Sequence, residues 1–247
     1  MSLFIIQSSQ ITDGIIYFSK NDSIHLYRVL RKKKGDKITC KDNTGKTYSC
    51  LISEISSNKA SAEIKSLQKH EDQSSNTAIS LIFPLIKGKR TQWLIQKCTE
   101  IGVNTFLPYA YTRSVVKPDP DNNRMKRYIK IIHEACKQSE RSDIPVLNSI
   151  MSSFSEIESY FTNKNKDFLK ILLWEKEKKV YLNDILRDNK NKINNVCIAV
   201  GPEGSMTDNE ILSFKKLGFS SAGLKTNILR SETACIFAAS VCVYELF

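Results

Sequence analysis

From residue 78 onward, short continuous apolar runs alternate with segments whose apolar residues recur at helical intervals. The runs AISLIFPLI (78–86), DFLKILLWE (167–175) and NNVCIAV (194–200) are apolar throughout, which is typical of strands buried on both faces. The segments KRTQWLIQKCTEIG and DNEILSFKKLG have the period of helices. Strands that alternate with helices predict an α/β domain with a parallel sheet covered on both sides.

The first 72 residues differ, because they combine many short strands with one helix. Strands are predicted for LFIIQ, GIIYF, DKITCKD, TYSCLISEI and KASAEIKSL, with DNTG (42–45) as a hairpin turn. The segment SIHLYRVLRKKKGD is predicted to be a short helix ending at Gly35. This combination predicts a small β-barrel. The polar stretch KHEDQSSN (69–76) is the expected linker, so we divide the chain into a barrel domain over 1–72 and an α/β domain over 73–247.

The composition restricts the function classes. The 37 basic and 26 acidic residues give a net charge of +11, which would attract a polyanion such as RNA. A general bias of the composition toward Lys and Asn would produce the same net charge in a protein that does not bind RNA. Seven cysteines without CxxC spacing, most of them inside apolar runs, indicate reduced core thiols, and three histidines make a metal site improbable. The sequence has no apolar run of membrane-spanning length and no basic region before its N-terminal apolar patch, so we expect a cytoplasmic protein.

Three of the predicted strands end in unusual residues. The strand ends are LLWEKEK (172–178), AVGPEGSMT (199–207) and GLKTNILRSETA (223–234). Ligands bind at the carboxyl ends of parallel strands, so these loops would form one pocket if the strands are neighbours. Gly201 and Gly204 would let the backbone approach a ligand, or would serve only the geometry of a strand-to-helix turn. The phosphate-binding patterns GxxxxGK[ST] and GxGxxG are both absent from the sequence.

The third strand end leads into the last helix. Ser231 can cap that helix, and Glu232 suits its positive end. Arg230 lies next to the positive end of the helix dipole, where a cation is unfavourable. Its position therefore indicates an anionic partner or substrate nearby. The helix itself, SETACIFAASVCVYELF, is apolar nearly all round, so it is either buried within the domain or packed on a second copy of the chain.

Six segments in the same order resemble the RsmE family, which methylates N3 of a uridine in small-subunit (16S) ribosomal RNA and belongs to the SPOUT methyltransferases. They are HLYRVLRKKKGD (25–36), KGKRTQWLIQKCTEIGV (87–103), RSVV (113–116), EACKQSERSDIPVL (134–147), GPEGSMTDNEI (201–211) and LKTNILRSETA (224–234). The chain has Ser205 and Met206 where the family pattern has Gly and Phe, and Lys225 where it has Gly. We expect Ser205 to be a small change and Lys225 to be strained if that position needs a positive φ.

The resemblance implies an N-terminal PUA-like barrel that helps to hold RNA. It also implies a C-terminal trefoil-knot domain that binds S-adenosyl-L-methionine at a homodimer interface. Residues expected to bind the cofactor are Leu172, Leu173, Trp174, Val200, Gly201, Pro202, Glu203, Gly204, Leu224, Asn227, Ile228, Leu229, Arg230, Thr233 and Ala234. Residues expected to contact RNA are Arg28, Arg31, Lys32, Lys33, Lys34, Lys87, Lys89, Arg90 and Arg113.

Methyl transfer to N3 requires removal of the N3 proton and stabilisation of charge on a uracil oxygen. Arg230 and Arg141 are candidates for the cation, or for contacts with phosphate. Glu134 and Glu203 are candidate acceptors, and for Glu203 a structural ion pair is favoured over a role as general base. Two other functions stay open: a SPOUT methylase acting on a ribose 2′-hydroxyl or a tRNA base, and a non-catalytic RNA-binding or ribosome-assembly factor.

Overall fold

The computed structural model describes residues 3–42, 46–68, 77–116, 123–141, 143–163, 167–190 and 192–246. These form two compact units, Met1–Gln73 with Cys136–Ile144, and Ser74–Ala135 with Pro145–Phe247. The structure thus groups Cys136–Ile144 with the first unit, whereas the sequence-based division places them in the second domain. The expected linker (69–76) and residues 43–45 of the expected hairpin turn lie outside the described residues.

A curled six-stranded sheet forms the first unit, and all five strands predicted there are present. Its strands follow the order β1-β4-β5-β6-β3-β2, with β1 parallel to β4 and every other pair antiparallel. Register shifts in β5 help to curl the sheet around a core that includes Phe4, Leu26 and Ile38. The elements are β1 (Leu3–Ile6), β2 (Ile11–Thr12), β3 (Ile15–Tyr17), α1 (Lys20–Ile24), β4 (Lys37–Asp42), β5 (Thr47–Ile55) and β6 (Ala60–Gln68), with a 3₁₀ turn at Ser8–Gln10.

The helix of the first unit begins and ends earlier than predicted. Ser19 caps α1 by accepting a hydrogen bond from the Asp22 amide at 3.1 Å, and the helix continues as a π-helical turn over His25–Val29. It stops well before Gly35, because Arg31 has a φ of 49° and leaves the helical region.

The second unit contains an all-parallel sheet in the order β12-β10-β11-β7-β8-β9. This confirms the predicted parallel α/β domain. Its strands are β7 (Ala78–Pro84), β8 (Thr105–Tyr109), β9 (Val146–Leu147), β10 (Leu169–Leu173), β11 (Asn195–Val200) and β12 (Ser220–Ala222). The helices that follow them along the chain are α2 (Arg90–Ile101), α3 (Asn123–Gln138), α4 (Phe154–Asn163), α5 (Leu182–Asp188), α6 (Asp208–Lys216) and α7 (Ser231–Leu246).

Local sequence fixes where the helices near the sheet begin and end. Gly102, with a φ of 127°, ends α2 as predicted. Thr207 and Glu210 form a capping box at the start of α6, in which each side chain accepts the other's backbone N–H. The buried Glu210 carboxylate also accepts the Thr112 amide at 2.8 Å, so the cap fastens α6 to the segment after β8.

The last helix, α7, packs against α2, α5 and the strands β7 and β11. Cys235, Ala238 and Cys242 are fully buried there, whereas Phe237 is 38% exposed and Tyr244 is 84% exposed. One face of the helix is therefore part of the domain core, and another face presents aromatic side chains to solvent. The seven cysteines are all buried, as predicted, and their sulfurs are not joined in disulfides.

Candidate functional site

Strand order places three loop-bearing strand ends side by side. β10 pairs with β11 on one side and with β12 on the other, all parallel, so their carboxyl ends lie at one edge of the sheet. The loops that follow these strands enclose a cavity of about 430 Å³. The condition set by the sequence, that these strands be neighbours, is therefore met.

Most of the residues expected at the cofactor site line this cavity. They are Leu173, Trp174, Val200, Gly201, Pro202, Glu203, Leu224, Asn227, Ile228, Leu229, Arg230 and Ala234. Three others do not line it: Leu172 is fully buried in the core behind the sheet, Gly204 lies against Arg113, and Thr233 is exposed on α7. A strand residue such as Leu172 alternates in direction with Leu173, which accounts for its placement in the core.

The cavity also contains residues that sequence reasoning missed. They are Glu175, Glu177, Lys178, Ser205, Ala222, Thr226 and Ser231. All but Ala222, the last residue of β12, belong to one of the three predicted strand ends, so the loops were identifiable from sequence, but the direction of each side chain was not.

The two glycines of the turn after β11 lie in close contact with neighbouring side chains. A Cβ on Gly201 would lie 2.9 Å from Cγ of Met206, and one on Gly204 would lie 3.3 Å from Cβ of Arg113. The Ser231 hydroxyl donates a 2.8 Å hydrogen bond to the Gly201 carbonyl. This bond joins the glycine turn directly to the start of α7, and so brings the two signature segments together.

Glu203 forms the structural ion pair favoured by sequence reasoning. Its carboxylate accepts a hydrogen bond from Nη1 of Arg90, at the start of α2. The same nitrogen lies 3.8 Å from Oε1 of Glu232. The residue Glu232 is only 4% exposed, and its Oε2 has no hydrogen-bond partner among the described residues. Arg90, expected to contact RNA phosphate, is thus placed between two carboxylates of the site.

The remaining basic residues divide between the two units. Arg28, Arg31 and Lys32–Lys34 belong to the first unit, where all but the half-buried Lys32 are exposed. Lys87 and Lys89 are exposed just before α2. Arg113 is exposed, and its guanidinium donates a 3.1 Å hydrogen bond to the Gly204 carbonyl, so it also touches the glycine turn.

The three candidate catalytic residues have different local surroundings. Arg230 is exposed and lines the cavity, whereas Glu134 is exposed on α3 and does not line it. Arg141 belongs to the first unit, where its guanidinium makes two hydrogen bonds to the Asp143 carboxylate, of 2.9 and 2.7 Å.

The structure contradicts our expectations for the backbone at Ser205 and Lys225, two of the positions where the chain departs from the family pattern. Lys225 does not have a positive φ, so the expected strain is absent, and its ammonium group lies 3.4 Å from the Asp184 carboxylate and 4.7 Å from the ring centre of Tyr181. Ser205, expected to be a small change, has a φ of 61°. The left-handed backbone that favours glycine thus lies at Ser205.

The segment after β10 surrounds the end of β12. The amide of Gly223 donates to the Val180 carbonyl at 2.8 Å, and the Gly223 carbonyl accepts from the Leu182 amide at 3.1 Å. A Cβ on Gly223 would lie 2.3 Å from the carbonyl oxygen of Glu177. The backbone of the segment after β10 therefore packs directly against Gly223 and leaves no room for a side chain there.

The acidic lining of the cavity includes an ionised group. Backbone N–H groups of Lys179 and Val180 donate to the Glu177 carboxylate and hold the pKa of this residue below its usual value of 4.5.

Among the described residues there is no group of His, Cys, Asp and Glu side chains arranged to hold a metal ion. No helix in that part of the chain is both long and apolar enough to span a membrane.

Comparison with known protein families places this chain among the RNA methyltransferases. A family model described as "RNA methyltransferase domain" matches residues 73–243, and a model described as "RNA methyltransferase PUA domain" matches residues 18–65. Similar curated proteins include ribosomal RNA small subunit methyltransferase E of Bacillus subtilis, 29% identical over 90% of this chain and 86% of that protein. Ribosomal RNA small subunit methyltransferase E 2 of Borreliella burgdorferi is 31% identical over 87% of this chain and 84% of that protein.

Solved structures agree with this placement. Ribosomal RNA small subunit methyltransferase E of Neisseria gonorrhoeae, bound to S-adenosylmethionine, has a TM-score of 0.85 and 27% identity, covering 100% of this chain and 98% of that one. A putative methyltransferase of Legionella pneumophila with bound S-adenosylmethionine has a TM-score of 0.82 and 26% identity, covering 97% and 96%. The chain belongs to the ribosomal RNA small subunit methyltransferase E (RsmE) family. The expected SPOUT domain and PUA-like N-terminal unit are thereby confirmed.

Proposed function

We propose that this protein transfers a methyl group from S-adenosyl-L-methionine to N3 of a uridine in 16S ribosomal RNA. The observation that carries the proposal is the cavity lined by the loops after β10, β11 and β12, in a member of a family whose solved relatives bind this cofactor. The target atom comes from the RsmE resemblance of the glycine turn and the arginine-bearing loop.

The cavity fits the cofactor in size and in chemistry. Its volume of about 430 Å³ lies within the range of small-molecule sites, roughly 300 to 1,000 Å³. Leu173, Trp174 and Leu224 supply an apolar wall suited to a nucleoside, and Gly201 allows backbone groups to reach a polar edge. The carboxylates of Glu175 and Glu177 suit a positively charged ligand. S-adenosylmethionine, when bound, supplies a methyl group already activated on a sulfonium.

The protein's own task is to orient the uridine and to favour loss of its N3 proton. Negative charge then develops on the uracil oxygens, and a fixed cation beside them lowers the barrier. Arg230 is the residue we assign to this role, because it lines the cavity and its side chain is a guanidinium cation with several N–H donors. Glu203 is not assigned as the base, since its carboxylate already binds Arg90.

RNA would be held by phosphate contacts, which position a substrate without reading its sequence. The exposed cations Arg28, Arg31, Lys33 and Lys34 in the first unit and Lys87 in the second support this assignment. A base within a duplex would have to be flipped out for N3 to reach the cavity.

We further propose that the protein works as a homodimer in the cytoplasm. Ile228 lines the cavity and is 83% exposed, and Tyr244 on α7 is 84% exposed. A second copy would cover such apolar side chains. Light scattering is expected to give twice the 28.1 kDa of one chain, and a stable monomer at working concentration would contradict the dimer.

Nucleoside mapping of ribosomal RNA tests the function. We expect one 3-methyluridine in 16S RNA to disappear when the gene is deleted, to return with the wild-type gene, and to stay absent with Arg230→Ala. Loss of a 2′-O-methyl nucleoside or of a tRNA modification instead would favour a SPOUT methylase with another target. Unchanged nucleosides would favour a non-catalytic RNA-binding or assembly factor.

A further inference from the structure

Ser205 combines an unfavourable backbone with a specific side-chain contact. Its φ of 61° lies in the left-handed region, where residues other than glycine carry a steric cost. Its amide donates to the Pro202 carbonyl at 2.9 Å, which closes the glycine turn. Its hydroxyl donates a 2.5 Å hydrogen bond to Oε1 of Glu175. A glycine would avoid the backbone cost but could not make this bond, so the contact accounts for a serine here.

The Ser205–Glu175 bond spans the cavity from one loop to another. Ser205 follows β11 and Glu175 follows β10, and both side chains belong to residues that line the cavity. Glu175 is exposed and Ser205 is half-buried, which puts the bond where the cavity meets solvent.

In the other two pairs of loops, at least one end of each joining hydrogen bond is a backbone group. The Ser231 hydroxyl binds the Gly201 carbonyl, which joins the loop after β11 to the start of α7. Backbone hydrogen bonds of Gly223 join the end of β12 to the segment after β10. The Ser205–Glu175 bond is different, because both of its ends are side chains and either can be replaced without altering a backbone donor or acceptor.

We infer that Ser205 is a positioning residue, which holds the glycine turn against the loop after β10 through Glu175 and thereby slows release of the bound cofactor. The inference rests on the proposed function, since it assigns S-adenosylmethionine to this cavity. Because the loops must part for a ligand to leave, a charge-assisted bond between them acts on the dissociation rate more than on association. Release of the cofactor about tenfold faster corresponds to a loss of ~1.4 kcal/mol. This is a reasonable value for one charged hydrogen bond at a half-exposed position.

Two substitutions at Ser205 separate the bond from the backbone strain. Ser205→Ala removes the hydroxyl and keeps the strained φ, whereas Ser205→Gly removes both. We expect both variants to release cofactor about tenfold faster, and Ser205→Gly to unfold at a temperature no lower than that of the wild type. Ser213→Ala, on α6 and outside the cavity lining, is the matched control and should release cofactor at the wild-type rate.

The test is a chase experiment on full-length protein. Protein loaded with tritiated S-adenosylmethionine is diluted into unlabelled cofactor, and the retained label is followed with time. In a Glu175→Ala background, Ser205→Ala should have no further effect, while Glu175→Gln, which keeps an acceptor oxygen, should retain most of the wild-type lifetime. The inference would be overturned if Ser205→Ala released cofactor at the wild-type rate, or if it had its full effect on release in the Glu175→Ala background as well. Neither result would affect the proposed function. Failure of the wild-type protein to bind the cofactor at all would overturn the proposed function as well.

Discussion

Replacing Arg90 by Ala tests whether the ion pairs beneath the glycine turn hold the site together. The Arg90 guanidinium binds the Glu203 carboxylate and faces Glu232 at 3.8 Å. Glu232 is nearly inaccessible to solvent, so its charge relies on this cation and on the positive end of α7. Without Arg90, the buried Glu232 carboxylate would face only the positive end of α7.

The magnitude follows from the exposure of the three side chains. Breaking a fully buried ion pair costs about 3–5 kcal/mol. Here the side chain of Arg90 is 33% exposed and that of Glu203 is 41% exposed, so water screens part of the interaction. We therefore expect Arg90→Ala to lower the free energy of unfolding by about 1–2 kcal/mol, near the lower end of what removal of a buried charge partner costs.

Urea unfolding of single and double variants measures this effect. Arg90→Ala combined with Glu232→Gln should be more stable than Arg90→Ala alone, because the double variant has no buried charge to compensate. Lys87→Ala, which removes an exposed cation three residues away, is the control and should change stability by less than about 0.5 kcal/mol. Equal stability of Arg90→Ala and the wild type, or no recovery in the double variant, would refute the reasoning.

Three further substitutions probe other parts of the structure. Gly223→Ala places a methyl group against the backbone oxygen of Glu177, so we expect a loss of several kcal/mol or failure to fold, and a melting curve matching the wild type would contradict the close enclosure. The backbone amides of Ser153 and Ser152 donate hydrogen bonds to the Glu156 carboxylate and hold its pKa below 4.5. The contribution of Glu156 to stability should therefore be present at neutral pH and lost as the pH falls through that lowered pKa. Unfolding titrations of Glu156→Gln should lack this acid-dependent loss, and an unchanged pH profile would argue against these bonds. Arg230→Ala should lower the rate of methyl transfer by about 10² or more while changing cofactor affinity less than tenfold, and unchanged turnover would remove it from the catalytic role.

Much of the second unit could be predicted from local sequence, because its strands are buried on both faces and its helices have clear boundaries. The apolar runs at 78–86 and 194–200 became β7 and β11, and Gly102 ended α2. The helix α4 was missed although its pattern is visible: Ile157 and Phe161 are buried at helical spacing, and Glu156 binds back to the Ser153 amide at its start.

The details of the site could be predicted less well, because they depend on contacts between distant segments. Sequence identified the three loops, but Arg90 reads as an exposed basic residue until the fold brings Glu203 and Glu232 to it. Ser205 and Lys225, two of the three departures from the family pattern, were ranked in the wrong order for the same reason. A positive φ is a property of the folded turn, and the turn placed it at Ser205 and not at Lys225.

Amide hydrogen exchange with and without S-adenosylmethionine tests the central claim most directly. If the loops after β10, β11 and β12 form one methyl-donor pocket, saturating cofactor should slow exchange together in residues 174–178, 201–206 and 224–230, while the sheet of the first unit stays unchanged. Protection of a different region, or of none, would contradict the convergence of the three loops on a cofactor site.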